Sequence, residues 1–125
     1  MRIKKTSQYI EGGAGLPSYF TTETDTGMKW IDGKKIYRRV CDISAMTSSN
    51  TNIVDLSSVG IKDVIKLYGF IKDSYGNITP VPFTDSSSNY NVLFYNNQGY
   101  LRGRCVLGSG GTLSSAYAIV EYTKN

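Results

Sequence analysis

The most informative absence in this 125-residue chain is that of histidine. Histidine is the side chain that most often transfers protons near neutral pH, so its absence excludes Ser-His-Asp and Cys-His catalytic arrangements. The 10 acidic residues could still supply the carboxylate pair of a glycosidase, but most of them lie in turns or at loop borders, where Asp bonds to nearby backbone. The sequence therefore predicts no enzymatic activity, no catalytic residues and no cofactor.

Cysteine is scarce as well, because Cys41 and Cys105 are the only two and lie far apart in the sequence. A zinc site needs three or four closely organised Cys and His ligands, and a calcium loop needs acidic residues at alternate positions, so we expect no metal. The basic N-terminus is not followed by the apolar stretch of a secretion signal, which predicts synthesis in a cytoplasm. Both thiols should then be reduced and buried as small apolar groups.

Long apolar runs and concentrated charge are also missing. No run approaches the roughly 20 apolar residues that a membrane-spanning helix needs, so we expect no membrane insertion. The net charge is +4, from 14 basic and 10 acidic residues, and the basic residues are scattered along the chain. Because no nucleic-acid-reading module accompanies them, we expect no nucleic-acid partner.

The first quarter of the chain, residues 1–27, predicts an extended N-terminal arm. Glycine, a proline and polar turn-forming residues dominate it. Its sizeable apolar side chains are Ile3, Tyr9, Ile10, Leu16, Tyr19 and Phe20. So few apolar groups cannot offset about 1–2 kcal/mol of backbone ordering per residue within the arm itself. We therefore expect these six side chains to pack on neighbouring subunits or on another protein.

Residues 28–125 predict the folded domain, and its clearest local signals are two β-hairpins. The first surrounds Asp32 and Gly33, a dipeptide that favours a type I′ turn. Its second strand carries mixed side chains on both faces, so either face could point inward. The second hairpin spans residues 90–107, with Arg102 and Arg104 on the face opposite the apolar one.

The remaining segments complete an all-β pattern. Residues 64–72 alternate less cleanly but are β-branched and aromatic, as in a strand buried on much of both faces, and residues 113–124 alternate as strands do. Residues 78–83 contain two prolines, which suit an edge strand or an extended connection, and the polar residues 44–58 predict a loop. Turns rich in Gly, Asn and Ser separate these segments, and no helical period is present. We therefore predict an antiparallel β-sandwich, jelly-roll-like, over residues 28–125.

Aromatic residues are abundant, with 10 Tyr, 4 Phe and 1 Trp. Two interpretations are open: exposed aromatics can form platforms for sugar rings or protein partners, or they can fill the core and the cross-strand pairs of a sandwich. Large aromatic side chains are mostly buried, which favours the second interpretation for any one of them. We accordingly expect Trp30 to be anchored against the sandwich.

One run of sequence resembles a known group of proteins. Residues 26–40 contain Trp-Ile-Asp-Gly-Lys-Lys-Ile-Tyr-Arg, which resembles a motif of phage tail-fibre, head-fibre and baseplate-appendage proteins. The residues that carry the motif are Trp30, Asp32, Gly33 and Tyr37. The alternating residues 117–124, with Tyr122 among them, resemble the strand that often closes those chains. Proteins of this group look like β-sandwich modules of virion appendages, frequently trimeric, with no catalytic residues to carry over.

The resemblance implies a non-enzymatic bacteriophage virion protein, either a fibre or appendage module or a head-decoration module, with a possible part in host attachment. It also implies a homo-oligomer, expected to be a trimer, that contacts other virion proteins and is located in the virion after synthesis in the host cytoplasm. The alternative is a carbohydrate-binding β-sandwich that recognises surface glycans, because exposed aromatics suit sugar rings.

Overall fold

A computed structural model describes residues 18–84, 90–108 and 111–125. The described residues form nine strands and contain no helix. The strands are β1 (Thr24–Lys29), β2 (Lys35–Asp42), β3 (Thr51–Asp55), β4 (Ile61–Asp73), β5 (Ile78–Val81), β6 (Phe83–Thr84), β7 (Tyr90–Tyr95), β8 (Tyr100–Val106) and β9 (Leu113–Lys124). The predicted all-β fold is confirmed. Residues 1–17, with four of the six arm side chains (Ile3, Tyr9, Ile10 and Leu16), lie outside the described residues.

The strands form two antiparallel sheets that pack face to face. One sheet has the order β1-β2-β9-β4-β5 and the other β3-β8-β7-β6. Strand β2 pairs with β9, and β3 pairs with β8, so early strands of the chain lie beside late strands, as they do in a jelly roll. The proline-containing segment forms β5 and β6, which are edge strands of the two sheets, as the sequence predicted.

The core lies between the sheets, and β9 supplies its centre. Alternate residues of β9 point inward: Ala116, Ala118, Val120 and Tyr122 are each 0% exposed. Strand β9 is flanked by β2 on one side and β4 on the other, so its backbone is hydrogen-bonded along both edges. From the opposite sheet, the fully buried Leu101 belongs to the same hydrophobic cluster.

The structure decides which face of β2 points inward. Cys41 belongs to the core and Tyr37 packs against it. On the other face Ile36 and Arg38 are nevertheless only 6% and 9% exposed. Both faces of the strand are therefore largely covered, which is why alternation of side chains alone could not distinguish them.

Three tight hairpins of the described residues share one turn geometry, which differs from the geometry predicted for the first. In the first, Gly33 N–H donates to the carbonyl of Trp30 at 2.9 Å and Trp30 N–H donates to that of Lys34 at 2.8 Å. The central turn residues are thus Ile31 and Asp32, and Gly33 follows them at φ 86°. The predicted type I′ turn on Asp32 and Gly33 is wrong. The same bonding pattern recurs at residues 73–77 and 96–100.

Side-chain chemistry explains the longer turn. The Asp32 carboxylate accepts a hydrogen bond from the backbone N–H of Lys34 at 3.0 Å and another from the Lys62 ammonium at 2.9 Å. These bonds hold the loop with Asp32 in its second central position. Gly33 then takes the left-handed conformation that such a three-residue loop requires.

Two predicted boundaries need correction. Strand β1 begins at Thr24, inside the segment assigned to the arm, because Thr26 is buried and its hydroxyl donates to the carbonyl of Ile36 at 2.7 Å. Strand β3 lies within the predicted loop of residues 44–58. The polar sequence of β3 does not predict a strand, and the strand forms because its backbone pairs with that of β8.

Candidate functional site

The described residues present three features that could carry a function. The first is an apolar depression of about 340 Å³ on the outside of the five-stranded sheet, called here the outer groove. Its lining residues are Tyr19, Thr21, Val40, Phe70, Tyr117 and Ile119. The strand register produces it: Val40 lies opposite Ile119, and Phe70 lies opposite Tyr117.

The aromatic residues of the outer groove are available to a partner. The rings of Phe70 and Tyr117 pack in a tilted pair with centroids 6.0 Å apart. Each of these side chains remains 37% exposed, and Tyr19 is 60% exposed. A sheet face that is covered only by water would normally be polar. The outer groove therefore has the composition of a contact surface.

A buried ion pair borders the outer groove. Both Nη2 and Nε of Arg38 lie within 2.9 Å of Glu121 Oε2, at 2.8 and 2.9 Å. The two side chains are only 10% and 3% exposed. The Tyr19 ring covers the guanidinium with 4.6 Å between the ring centroid and Cζ. Burial raises the pKa of the neighbouring Tyr68 hydroxyl, and a hydrogen bond with Tyr19 adds to that shift.

The second feature is a polar cluster around Tyr122. Its hydroxyl donates a 2.6 Å hydrogen bond to Glu23, and Arg39 Nε donates to that hydroxyl at 3.3 Å. The Lys124 ammonium lies 3.0 Å from Glu23 and 5.3 Å from the centre of the Tyr37 ring. Burial, together with the bond to Glu23, raises the pKa of Tyr122 far above its ordinary range.

The third feature, called here the arginine face, is the outside of the four-stranded sheet. Arg104 lies opposite Val92, and Arg102 lies opposite Phe94. The Arg104 guanidinium stacks over the Tyr90 ring at 4.8 Å. Val92 and Phe94 are 38% and 36% exposed. Basic and apolar groups thus alternate on one flat surface.

Every carboxyl group with a shifted pKa in the described residues has it lowered, whereas a general acid needs a raised pKa. At the turn residue Asp32, for example, the main cause is the hydrogen bond from the Lys34 backbone. Over the same residues, no group of three or more Cys, Asp or Glu side chains could hold a metal ion. No helix in the described part of the chain is long and apolar enough to cross a bilayer.

The predicted motif residues fall into two separate places. Asp32 and Gly33 form the β1–β2 turn, and Trp30 at its start is half-buried and outside the hydrophobic cluster between the sheets. Tyr37 and Tyr122 pack together with ring centroids 6.2 Å apart. These residues stabilise the hairpin and the core and do not line the outer groove.

Two of the predicted arm residues are described, and both contact their own chain. The Tyr19 ring lies over Arg38, and the carbonyl of Phe20 accepts a hydrogen bond from Val40 N–H at 2.9 Å. Their side chains still remain 60% and 54% exposed. Packing of these side chains on a neighbouring subunit stays a prediction.

Several residues of these surfaces were not singled out from the sequence. Arg38 and Glu121 lie 83 positions apart, and only the β2–β9 register brings them together. Phe70 and Tyr117 are likewise joined by the β4–β9 register. An aromatic residue on the solvent-facing side of an alternating strand could have indicated the outer groove. Using that signal requires knowing which side of the strand faces solvent.

Comparison of the chain with protein-family models, with curated proteins and with solved structures gives no match. The resemblance of residues 26–40 and 117–124, and more loosely of residues 64–69 and 80–83, to phage appendage proteins stays a prediction.

Proposed function

We propose that this chain is a non-enzymatic structural module of a bacteriophage virion, serving as a fibre, appendage or head-decoration piece. The observation that carries the proposal is the outer groove, an apolar and aromatic surface on the outside of a sheet. Such a surface suits a protein that works by being packed against other subunits.

The physical argument concerns the cost of leaving the outer groove in water. Burial of a large apolar side chain contributes about 1.5–3 kcal/mol, and Phe70, Tyr117 and Tyr19 are only partly buried within one chain. A second copy or another virion protein that covers them gains that free energy. The Tyr117 and Tyr19 hydroxyls can still bond to polar groups at the rim of such an interface.

The assignment to a virion has a separate support, the resemblance of residues 26–40 and 117–124 to phage appendage proteins. From the same resemblance we propose a homotrimer as the assembled form and other virion proteins as its partners. Synthesis would take place in the host cytoplasm, with the mature protein located in the virion.

The test is the mass of the full chain in solution, measured by light scattering over a range of concentrations. We expect the mass of a trimer of the 13.8 kDa chain. The double variant Phe70→Glu/Tyr117→Glu places two charges in the outer groove and should lower the mass to that of a monomer. The control Ile31→Glu changes a residue that is 91% exposed in a turn and should leave the oligomer intact.

Circular dichroism shows whether the double variant still folds, so that loss of the oligomer can be separated from unfolding. A wild-type chain that is monomeric at all concentrations would contradict the proposal. So would a folded double variant that remains fully oligomeric.

A second candidate function is carbohydrate binding, as expected for a module that attaches to a cell surface. The arginine face favours it, because exposed apolar groups and hydrogen-bond donors alternate there on a flat surface. The two functions are compatible, since the arginine face and the outer groove belong to different sheets.

A further inference from the structure

We propose that the arginine face binds an anionic glycan, that is, a sugar chain bearing carboxylate, sulfate or phosphate groups, with Arg104 and Arg102 contacting the acidic groups and Phe94 contacting a sugar ring. The inference rests on the attachment role in the proposed function and gives that role a place and a ligand class. It does not involve the outer groove.

The strand geometry places the two arginines correctly for one extended ligand. Arg102 and Arg104 are alternate residues of β8, so their side chains leave the same face about 7 Å apart. Val92 and Phe94 lie beside them on β7. A sugar chain bound parallel to the strands would contact two positive charges and two apolar side chains.

Both guanidinium groups are held in place and keep free donors. Arg102 donates from Nη1 to the side chain of Asn52 at 2.8 Å and from Nη2 to the carbonyl of Asn50 at 3.1 Å. A guanidinium has five N–H donors, so three of them are not used by these two bonds to described residues. The Arg104 guanidinium lies over the Tyr90 ring with 4.8 Å between Cζ and the ring centroid, a contact that uses the face of the guanidinium and not its N–H donors.

The charges on this face lack internal compensation within the described residues. The described residues form six ion pairs in all, and none of these pairs includes Arg102 or Arg104. By contrast, the buried Arg38 is fully engaged by Glu121. Arginine binds carboxylate, sulfate and phosphate groups through paired N–H donors, so an anionic ligand complements this face.

The apolar part of the face favours a sugar over a nucleic acid. Proteins that bind single-stranded nucleic acid stack successive bases on several aromatic rings. Among the described aromatic residues of this face, Tyr90 and Tyr100 are half-buried and Arg104 lies over the Tyr90 ring, which leaves Phe94 as the exposed ring. One ring and the neighbouring Val92 suit the apolar side of a sugar unit held between acidic substituents.

The experiment measures binding of four probes to the full chain by isothermal calorimetry at low salt. Polygalacturonate and dextran sulfate supply the carboxylate and sulfate forms of the ligand, dextran is the neutral control, and oligodeoxythymidylate represents nucleic acid. The variants are Arg104→Gln and Phe94→Ala on the face. The matched control is Lys72→Gln, which removes one exposed charge from the other sheet.

We expect binding of at least one anionic glycan and none of dextran. Arg104→Gln should weaken the affinity at least tenfold and Phe94→Ala at least threefold, with less than a twofold change for Lys72→Gln. Thermal unfolding should confirm that each variant is folded. A preference between the carboxylated and the sulfated probe would identify the acidic group.

Three outcomes would overturn the inference. One is the absence of binding to both anionic glycans, and another is an equal loss of affinity in Arg104→Gln and Lys72→Gln, which would indicate net charge alone. The third is tighter binding of oligodeoxythymidylate with the same dependence on Arg104. The light-scattering test of the outer groove does not depend on any of them, so the two proposals can fail separately.

Discussion

The hydroxyl of Tyr122 donates a 2.6 Å hydrogen bond to the carboxylate of Glu23, which joins the last strand to the segment that precedes β1. These residues are separated by 99 positions. Because Lys124 also contacts Glu23, one carboxylate anchors the described part of the predicted arm to the centre of the five-stranded sheet. Together with the contacts of Tyr19 and Phe20, this bond holds the described part of the arm against its own domain.

Replacing Glu23 by Gln tests this anchor. We expect the free energy of unfolding at pH 7 to fall by about 1–2 kcal/mol, because hydrogen bonds to a charged group are lost. Tyr122→Phe should act in the same direction, and the double variant should cost less than the sum of the two single changes. Urea unfolding measures all three; strict additivity would show that the two residues are not coupled.

The Glu23 carboxylate should make the stability of the fold depend on pH. Desolvation by burial opposes ionisation of Glu23, but the hydrogen bonds from Tyr122 and Lys124 together hold its pKa below the ordinary 4.5. A lowered pKa in the folded state stabilises the fold above pH 4.5, and this contribution disappears as the pH falls through the folded value. The difference in stability between wild type and Glu23→Gln should therefore shrink in acid.

Removing one partner of the buried Arg38–Glu121 pair should lower the free energy of unfolding much more than replacing both partners by apolar residues. We expect Glu121→Gln to lower the free energy of unfolding by about 3–5 kcal/mol, because it leaves the Arg38 charge buried without its partner. Arg38→Met/Glu121→Leu should cost much less, since it removes both charges. Urea unfolding of the variants decides the point. Equal losses in the single and double variants would indicate that packing matters more than charge.

Trp30 should contribute less than a core aromatic. The side chain is half-buried at the start of the β1–β2 turn, so we expect Trp30→Ala to cost about 2 kcal/mol, below the roughly 3–5 kcal/mol of a fully buried aromatic. Leu101→Ala, at a position that is 0% exposed, should cost about 2–5 kcal/mol. Thermal and urea unfolding compare the two. A larger loss for Trp30→Ala would place that residue in the core.

The two cysteines should react slowly in the folded protein. Both are buried, at 5% and 7% exposure, which confirms the predicted burial of Cys41 and Cys105, and their reduced state stays a prediction. Burial raises the pKa of both thiols, so the reactive thiolate is scarce. Iodoacetamide at pH 8 should label them only after unfolding in urea. Rapid labelling of the native chain would contradict this expectation.

The local sequence was sufficient to predict most strands. Alternation in residues 90–107 identified β7, β8 and the buried side of Leu101 and Cys105, because that hairpin has one dry and one wet face. Turn formers located the ends of the strands. The same reasoning missed β3, since its five residues carry no apolar alternation and pair only because β8 lies beside them.

The arrangement of the surfaces was decided by tertiary structure alone. Strand β9 contributes Glu121 to the ion pair with Arg38, Tyr117 to the outer groove and Tyr122 to the bond with Glu23. Side-chain alternation states which residues share a face, but the position of a neighbouring strand decides what each face meets. The sequence by itself determined that the chain would form hairpins with an apolar side. Only the pairing of β9 with β2 and β4 decided which charges and aromatics lie together, because such contacts join residues far apart in the chain and depend on strand register.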